Sequence, residues 1–381
     1  MHYSLAAEGN DYYAECILAY KYANGLGVEA SSDASINLYQ KASEIVAEQF
    51  EQNQINQYPP VKFTNDNDYE HSLVRKNDAV QFYMYNAERG DLSAQVLLGR
   101  IFYHGSDGFV QDMSLAQKYF KMAAESGNEV AKGYIGLMYA KGVFFEKDIT
   151  LEIEYCEEAA KFGSAPAYHC LGHLYETGEY TGVPDFEMAI KNYVKASEKD
   201  FADSHYRLGK LLMEYIPSFS LPKSIQYLTL ASRHGHILAM LELGKLNLKT
   251  PSAESKNMAL TFFKSVCKRG AVNQLSFWGY NAYFEGNKHY AFAANLIAAA
   301  CGLEAGLINT AFMLDSMKSW SLALVFWNRA AQQGFVEGYV KCGDYFYTGK
   351  MAENKSPDYE LAIKYYTKAE SEDSAEAAFN L

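Results

Sequence analysis

Apolar and polar positions follow a helical rhythm over nearly the whole chain. Leu98, Phe102 and the small Gly99 fall at the spacing that places residues on one face of an α-helix. The phrase around them recurs. Ala94 to Gly105 reads Ala-Gln-Val-Leu-Leu-Gly-Arg-Ile-Phe-Tyr-His-Gly; Ala131 to Gly142 and Ala167 to Gly178 repeat its plan. Each copy has a small residue, a glycine five later, an aromatic three after that, and a second glycine three further on. Between copies lies a second helical phrase with an aromatic pair, a small pair and a glycine: Tyr119-Phe120, Ala123-Ala124, Gly127. Self-similarity at 36 to 37 residues predicts stacked helical hairpins.

The central small position falls at Ala19, Gly99, Gly136, Gly172, Gly209, Gly244, Gly279, Thr310 and Gly343, which predicts about nine repeats. The fold expected is all-α, a right-handed α-solenoid running as one fragment from 1 to 381. The interval from Ala19 to Gly99 is too long for one unit, so the first repeat carries an insertion over 53–76. That stretch holds Pro59-Pro60 and Thr64-Asn65-Asp66-Asn67-Asp68 and has no periodicity, which marks a long loop, either functional or disordered. Phe82-Tyr83, Asn86-Ala87 and Gly90 resume the second helix. Tyr215 to Pro222 replaces the usual glycine-rich turn, and the seventh unit lacks an aromatic pair in its second helix. Met1 to Asn10 reads as the end of a second helix and Ala375 to Leu381 as the start of a first one. The chain is therefore expected to be part of a longer array.

Glycine inside a helix costs roughly 1 kcal/mol relative to alanine, so its recurrence needs a cause. Close approach of the partner helix is the simplest. The small pairs Ala123-Ala124, Ala159-Ala160 and Ala330-Ala331 are the expected other half of that contact. The second glycines (Gly105, Gly142, Gly178, Gly286, Gly349) suit left-handed C-terminal caps. Asp112, Asp148, Asp185 and Asp358 stand where a second helix begins and can cap its free N–H groups.

Composition adds constraints. Thirty-four Lys and Arg against 46 Asp and Glu give a net charge of −12, which argues against nucleic acid or an anionic lipid surface as main partner. Six cysteines form no Cys-x-x-Cys pair, so no zinc site is expected. Cys156 and Cys170 fall on helices adjacent in the stack, which leaves open a disulfide or two free buried thiols; residue type alone favours the thiols. No apolar run is long enough to span a membrane, and no signal peptide is present. His169 and His173 have the i, i+4 spacing of a two-histidine metal site but lack the acidic neighbour of His-Glu-x-x-His. No phosphate loop or nucleophile elbow occurs, so no catalytic, cofactor or metal residues are assigned. One glycosylation sequon occurs, at Asn354-Lys355-Ser356.

The unit resembles the Sel-one-like repeat, a longer-turned relative of the tetratricopeptide repeat. Four stretches go further: Phe82 to Asp91, Ala311-Phe312-Met313-Leu314, Phe326 to Ala331, and Gly343 to Tyr347. They are similar to the lumenal subunits of the ER-associated-degradation ubiquitin ligase, the Hrd-three / Sel-one-L type, here a fungal version. The resemblance implies a non-catalytic adaptor in the endoplasmic reticulum lumen, part of a single-span protein whose anchor lies outside this fragment. Its implied partners are the membrane ubiquitin ligase, an ER lectin and misfolded glycoproteins, with self-association left open. It also makes glycosylation of Asn354 and a Cys156–Cys170 disulfide more plausible. A scaffold for another enzyme, of the chitin synthase activator type, is the alternative. By analogy with related repeats, the residue after each central glycine should face a concave binding surface. These are Arg100, Leu137, His173, Lys210, Lys245, Tyr280 and Asp344, followed one turn later by Tyr103, His104, Lys141, Glu176 and Glu214.

Overall fold

Each sequence phrase folds as one helix of a hairpin. In a computed structural model that describes residues 2–52, 62–63, 80–105, 111–142, 148–215, 217–250, 252–350 and 356–381, the phrase at 94–105 is the helix Leu92–His104 and its partner is Met113–Glu125. Glu129–Lys141 with Ile149–Lys161, and Ala165–Thr177 with Phe186–Ser197, repeat the plan. No strand occurs among the described residues. The chain divides into two compact units. One comprises Met1–Ile45, Tyr58–His71 and Cys267–Leu381; the other comprises Val46–Gln57 and Ser72–Val266. The second is here called the central unit and the first the composite unit.

Hairpin boundaries are set by local chemistry. Gly105, Gly142, Gly178 and Gly349 close first helices in the left-handed conformation, with φ between 60° and 77°, where a Cβ would be strained. Asp112, Asp148, Asp185 and Asp358 accept backbone N–H bonds at the start of second helices. The stretch from Pro217 to Pro222 is more regular than its composition suggests. The helix Pro217–Arg233 begins with proline at its first position, where no N–H is needed, and carries Pro222 inside.

The central glycines do admit close approach, but their partner is not the small pair. A Cβ on Gly99 would lie 2.5 Å from the Phe120 ring, and one on Gly172 would lie 2.7 Å from Tyr193. Gly244 meets Phe263 and Gly343 meets Tyr366 in the same way. The glycine is a slot for the ring of the hairpin's own second helix, and those four rings are buried. Full burial of one such ring contributes roughly 1.5–3 kcal/mol. Two alanine pairs face a different glycine, in the first turn of the next hairpin. Gly306 packs on Ala298-Ala299 and Gly338 on Ala330-Ala331.

Gly136 makes room for sulfur instead. Its missing Cβ would overlap Cys156 Sγ, and Cys156 and Cys170 are joined in a disulfide with their Cα atoms 6.2 Å apart. The bridge links the second helix of one hairpin to the first helix of the next. It closes a loop of about 15 residues, so reduction is expected to cost the central unit about 3 kcal/mol. A urea titration with and without reductant checks this, read at probes in the central unit; the midpoint should fall on reduction. Cys16, Cys267, Cys301 and Cys342 are reduced and buried. Burial pushes the Cys342 thiol up to about 12, so it holds almost no nucleophilic thiolate at neutral pH.

Candidate functional site

The central unit carries a cavity of about 360 Å³ on its first helices. Three consecutive ones contribute, Ala165–Thr177, Ala202–Tyr215 and Ile237–Leu248, together with the end of Ser32–Glu51 at Phe50 and Glu51. Its centre is polar and ordered. Arg207 lies 3.5 Å from Glu176, and Glu176 also accepts the Tyr193 hydroxyl at 2.6 Å. Burial pulls the Arg207 guanidinium down, but Glu176 together with Tyr193, Tyr206 and Asp203 outweighs it and its pKa stands above the ordinary value. The arginine is thus a fixed cation, aimed by a carboxylate that the Tyr193 hydroxyl holds. Burial, reinforced by Glu176, raises Tyr193 well above its usual range, so this hydroxyl stays a donor.

Around that centre the walls are rings. Tyr206 stacks on His236 with centroids 4.5 Å apart, and Phe50 meets the edge of His236 at 6.2 Å. His169 pairs with the Ser204 hydroxyl at 2.8 Å and packs beside Phe201 and Tyr193. His236 Nε2 is 3.7 Å from Asp203. Flat rings around one fixed cation suit recognition of a planar or anionic group on a protein partner.

The expected concave row separates in the structure. Arg100, His104 and Glu214 are exposed, while His173, Glu176, Lys210, Lys245 and Asp344 are half-buried. Tyr103, Leu137 and Tyr280 are buried at 3%, 4% and 6% exposure and belong to the core; for these three the expectation of a surface position is corrected. The reason is geometric. Successive helical residues turn by about 100°, and a first helix in a stack is covered by its own partner and by the next hairpin. The residue after the glycine therefore points outward only where the neighbouring helix leaves space. Asp344 is held by the hydroxyl of Tyr366 at 2.8 Å and by Lys341 at 3.2 Å, so it ties its hairpin together. The Lys141 side chain and Asn354 lie outside the described residues. Asp203, Tyr206, Arg207 and His236 were not singled out from the sequence. A signal was present: His169 precedes His173, and Arg207 precedes Lys210, by one turn on the same face.

A second polar cluster joins two hairpins. Asp200, at φ +59°, accepts from His205 Nε2 at 3.0 Å and from His234 Nε2 at 2.9 Å, while His205 Nδ1 pairs with Ser197. The two imidazoles hold the Asp200 carboxyl below its usual range. A depressed carboxylate pKa gives stability that is present above the unfolded value and lost as pH falls through the folded one. Asp200 is exposed, so the effect stays under about 1 kcal/mol. Asp200→Asn, which tolerates the left-handed backbone, should lower the melt at pH 7 by this small amount and flatten its fall toward pH 3, where the two proteins should converge. Thermal melts from pH 7 to pH 3 would show it.

Comparison with known proteins fits the hairpin geometry. The Sel1 repeat model matches residues 13–44, 92–128, 165–201, 202–236 and 336–374. "Protein sel-1 homolog 2" of Mus musculus is 32% identical over 395 residues, covering 100% of this chain and 57% of its own length. "Putative ERAD-associated E3 ubiquitin-protein ligase component" of Schizosaccharomyces pombe is 21% identical over 96% of this chain and 56% of its length. "ERAD-associated E3 ubiquitin-protein ligase component HRD3B" of Arabidopsis thaliana is 25% identical over 100% of this chain and 59% of its length. The chain thus spans less than two thirds of these relatives. Among the described residues no helix is long and apolar enough to cross a membrane. The matched repeats fall on the observed hairpins and the relatives align over 96–100% of the chain, so this chain carries Sel1 repeats.

Proposed function

We propose that this chain is the repeat region of a non-catalytic adaptor of ER-associated degradation. In this reading residues 1–381 form one array of about nine hairpins interrupted at 53–76, in the lumen of the endoplasmic reticulum. The array recruits misfolded glycoproteins and a lectin to a membrane ubiquitin ligase and regulates that ligase. The observation that carries the reading is the reach of the likeness. Two relatives named as ERAD-associated ligase components align over 96% and 100% of the chain. The central cavity supports it, since a fixed cation among rings on stacked first helices suits protein recognition.

An affinity capture of the chain from detergent-solubilised ER membranes, with mass spectrometry, tests the assignment. Recovery of a membrane ubiquitin ligase or a glycan-reading lectin supports it. Recovery of neither, with an unrelated enzyme enriched instead, overturns it. Arg207→Glu places a repelling charge beside Glu176. It should lower capture of the central-unit partner by at least tenfold and, because Glu176 is mostly buried, also lower the melting temperature, so capture is measured below the melt of the variant.

A further inference from the structure

Lys62 and Phe63 come from the stretch expected to loop out of the first repeat, yet they sit on first helices 242 and 246 residues further along the chain. All their partners belong to the composite unit. Phe63 has no exposed surface. Its ring stacks on Tyr280 at 5.2 Å, and the rings of Tyr283, Phe312 and Phe284 enclose it at 4.4, 5.4 and 6.1 Å. Its backbone N–H donates to Asn309 Oδ1 at 2.8 Å. Lys62 Nζ lies 2.6 Å from Glu304 and 3.4 Å from Glu337, which stand in the first turns of two successive first helices.

Three features mark this as a site built for a chain segment. The Asn309 amide is held from behind: it donates to Asn295 Oδ1 at 3.0 Å, Asn295 donates to the Ala291 carbonyl at 2.9 Å, and Ser276 lies 3.3 Å from Asn295. All three side chains are fully buried. Such a network is retained only if every member is satisfied, and here it offers one acceptor to a backbone N–H. A bond to backbone does not depend on the ligand's sequence; the aromatic box and the paired carboxylates supply the selectivity. The carboxylates come from neighbouring repeats, so the site exists only where hairpins stack.

We propose that this face of the composite unit is a binding site for a short peptide segment carrying a basic residue followed by an aromatic one, and that Lys62–Phe63 fills it in cis. The tethered segment competes at an effective concentration on the order of millimolar. A segment from a partner therefore binds only weakly until the internal one is released. This site and its ligand class are independent of the cavity around Arg207 and of the ER assignment.

The test uses the full chain and a fluorescent synthetic peptide of residues 58–67, read by anisotropy. Lys62→Glu puts a carboxylate against Glu304 and Glu337, and Phe63→Ala empties the aromatic box. The double variant is expected to bind the peptide at least tenfold more tightly than the unaltered chain. A peptide with alanine in place of its phenylalanine should not bind. A folded double variant with no gain overturns the proposal. If the double variant melts below the assay temperature, the peptide should raise its melting temperature, and the absence of a rise overturns it equally. Lys62→Glu alone keeps the ring in place and should give a smaller gain in the same direction. Peptide binding of equal strength to the phenylalanine and alanine forms would also overturn it.

Discussion

Phe63→Ala is expected to cost the composite unit about 3–5 kcal/mol, the range for truncating a buried phenylalanine. The ring is fully enclosed by aromatics of two successive first helices. Removing it leaves a void lined by Tyr280, Tyr283, Phe284 and Phe312, whose rings are anchored on helices and can close the gap only in part. The upper limit is the docking free energy of the segment, because beyond it Lys62 and Phe63 let go together. Near-ultraviolet circular dichroism is the direct readout, since the ring cluster should lose its fixed asymmetry before the helices melt. Urea unfolding of the composite unit should show a lowered midpoint. If the midpoint moves by less than the equivalent of about 1 kcal/mol, Phe63 is not packed as described.

Gly338→Ala is the second. Alanine in a helix is favoured over glycine by about 1 kcal/mol, so an unhindered change would stabilise. Here the new methyl would overlap the backbone nitrogen of Ala331 and sit 2.9 Å from the carbonyl carbon of Ala330. Backbone cannot rotate away as a side chain can, so the helices Trp320–Gln332 and Val336–Thr348 must separate. Overpacking of this kind costs about 1–3 kcal/mol and sometimes more. A net loss of about 2 kcal/mol is expected despite the gain in helix propensity. Gly306→Ala should behave alike, since its methyl would lie 2.5 Å from Ala299 N. At Gly99 the obstacle is a ring, 2.5 Å from the same construction, and the damage depends on how far Phe120 can tilt within its core. Thermal melts of the three variants would rank backbone obstacles against ring obstacles. A stabilised Gly338→Ala would show that the alanine pairs do not set the distance between hairpins.

The hairpins and their limits were legible because they rest on local rules. A glycine at the end of a helix takes a left-handed φ whatever surrounds it, and an aspartate before a second helix caps it with its own side chain. Periodicity located the helices, and the recurrent glycine announced a close approach. The identity of the approaching group was not legible. Gly99 receives a ring, Gly136 a sulfur, and Gly338 a backbone, although all three are glycines in helical phrases. Sequence spacing specifies that a slot exists; the rotation and separation of two helices decide what enters it.

The same division governs the sites. The sequence alone determined an all-helical repeat chain, its caps and the Sel1-type phrase, because each depends on residues within one turn or one hairpin. Only the tertiary structure placed Leu137 and Tyr280 in the core, because the outward side of a first helix is defined by neighbours from other parts of the chain. It also aimed Arg207 through Glu176 and Tyr193, drawn from three different helices. Lys62 and Phe63 are the extreme case. Nothing near them in sequence signals burial, and their partners lie more than 200 residues away. Local steric and hydrogen-bonding rules fix elements; long-range packing, which no short window of sequence contains, fixes what those elements present.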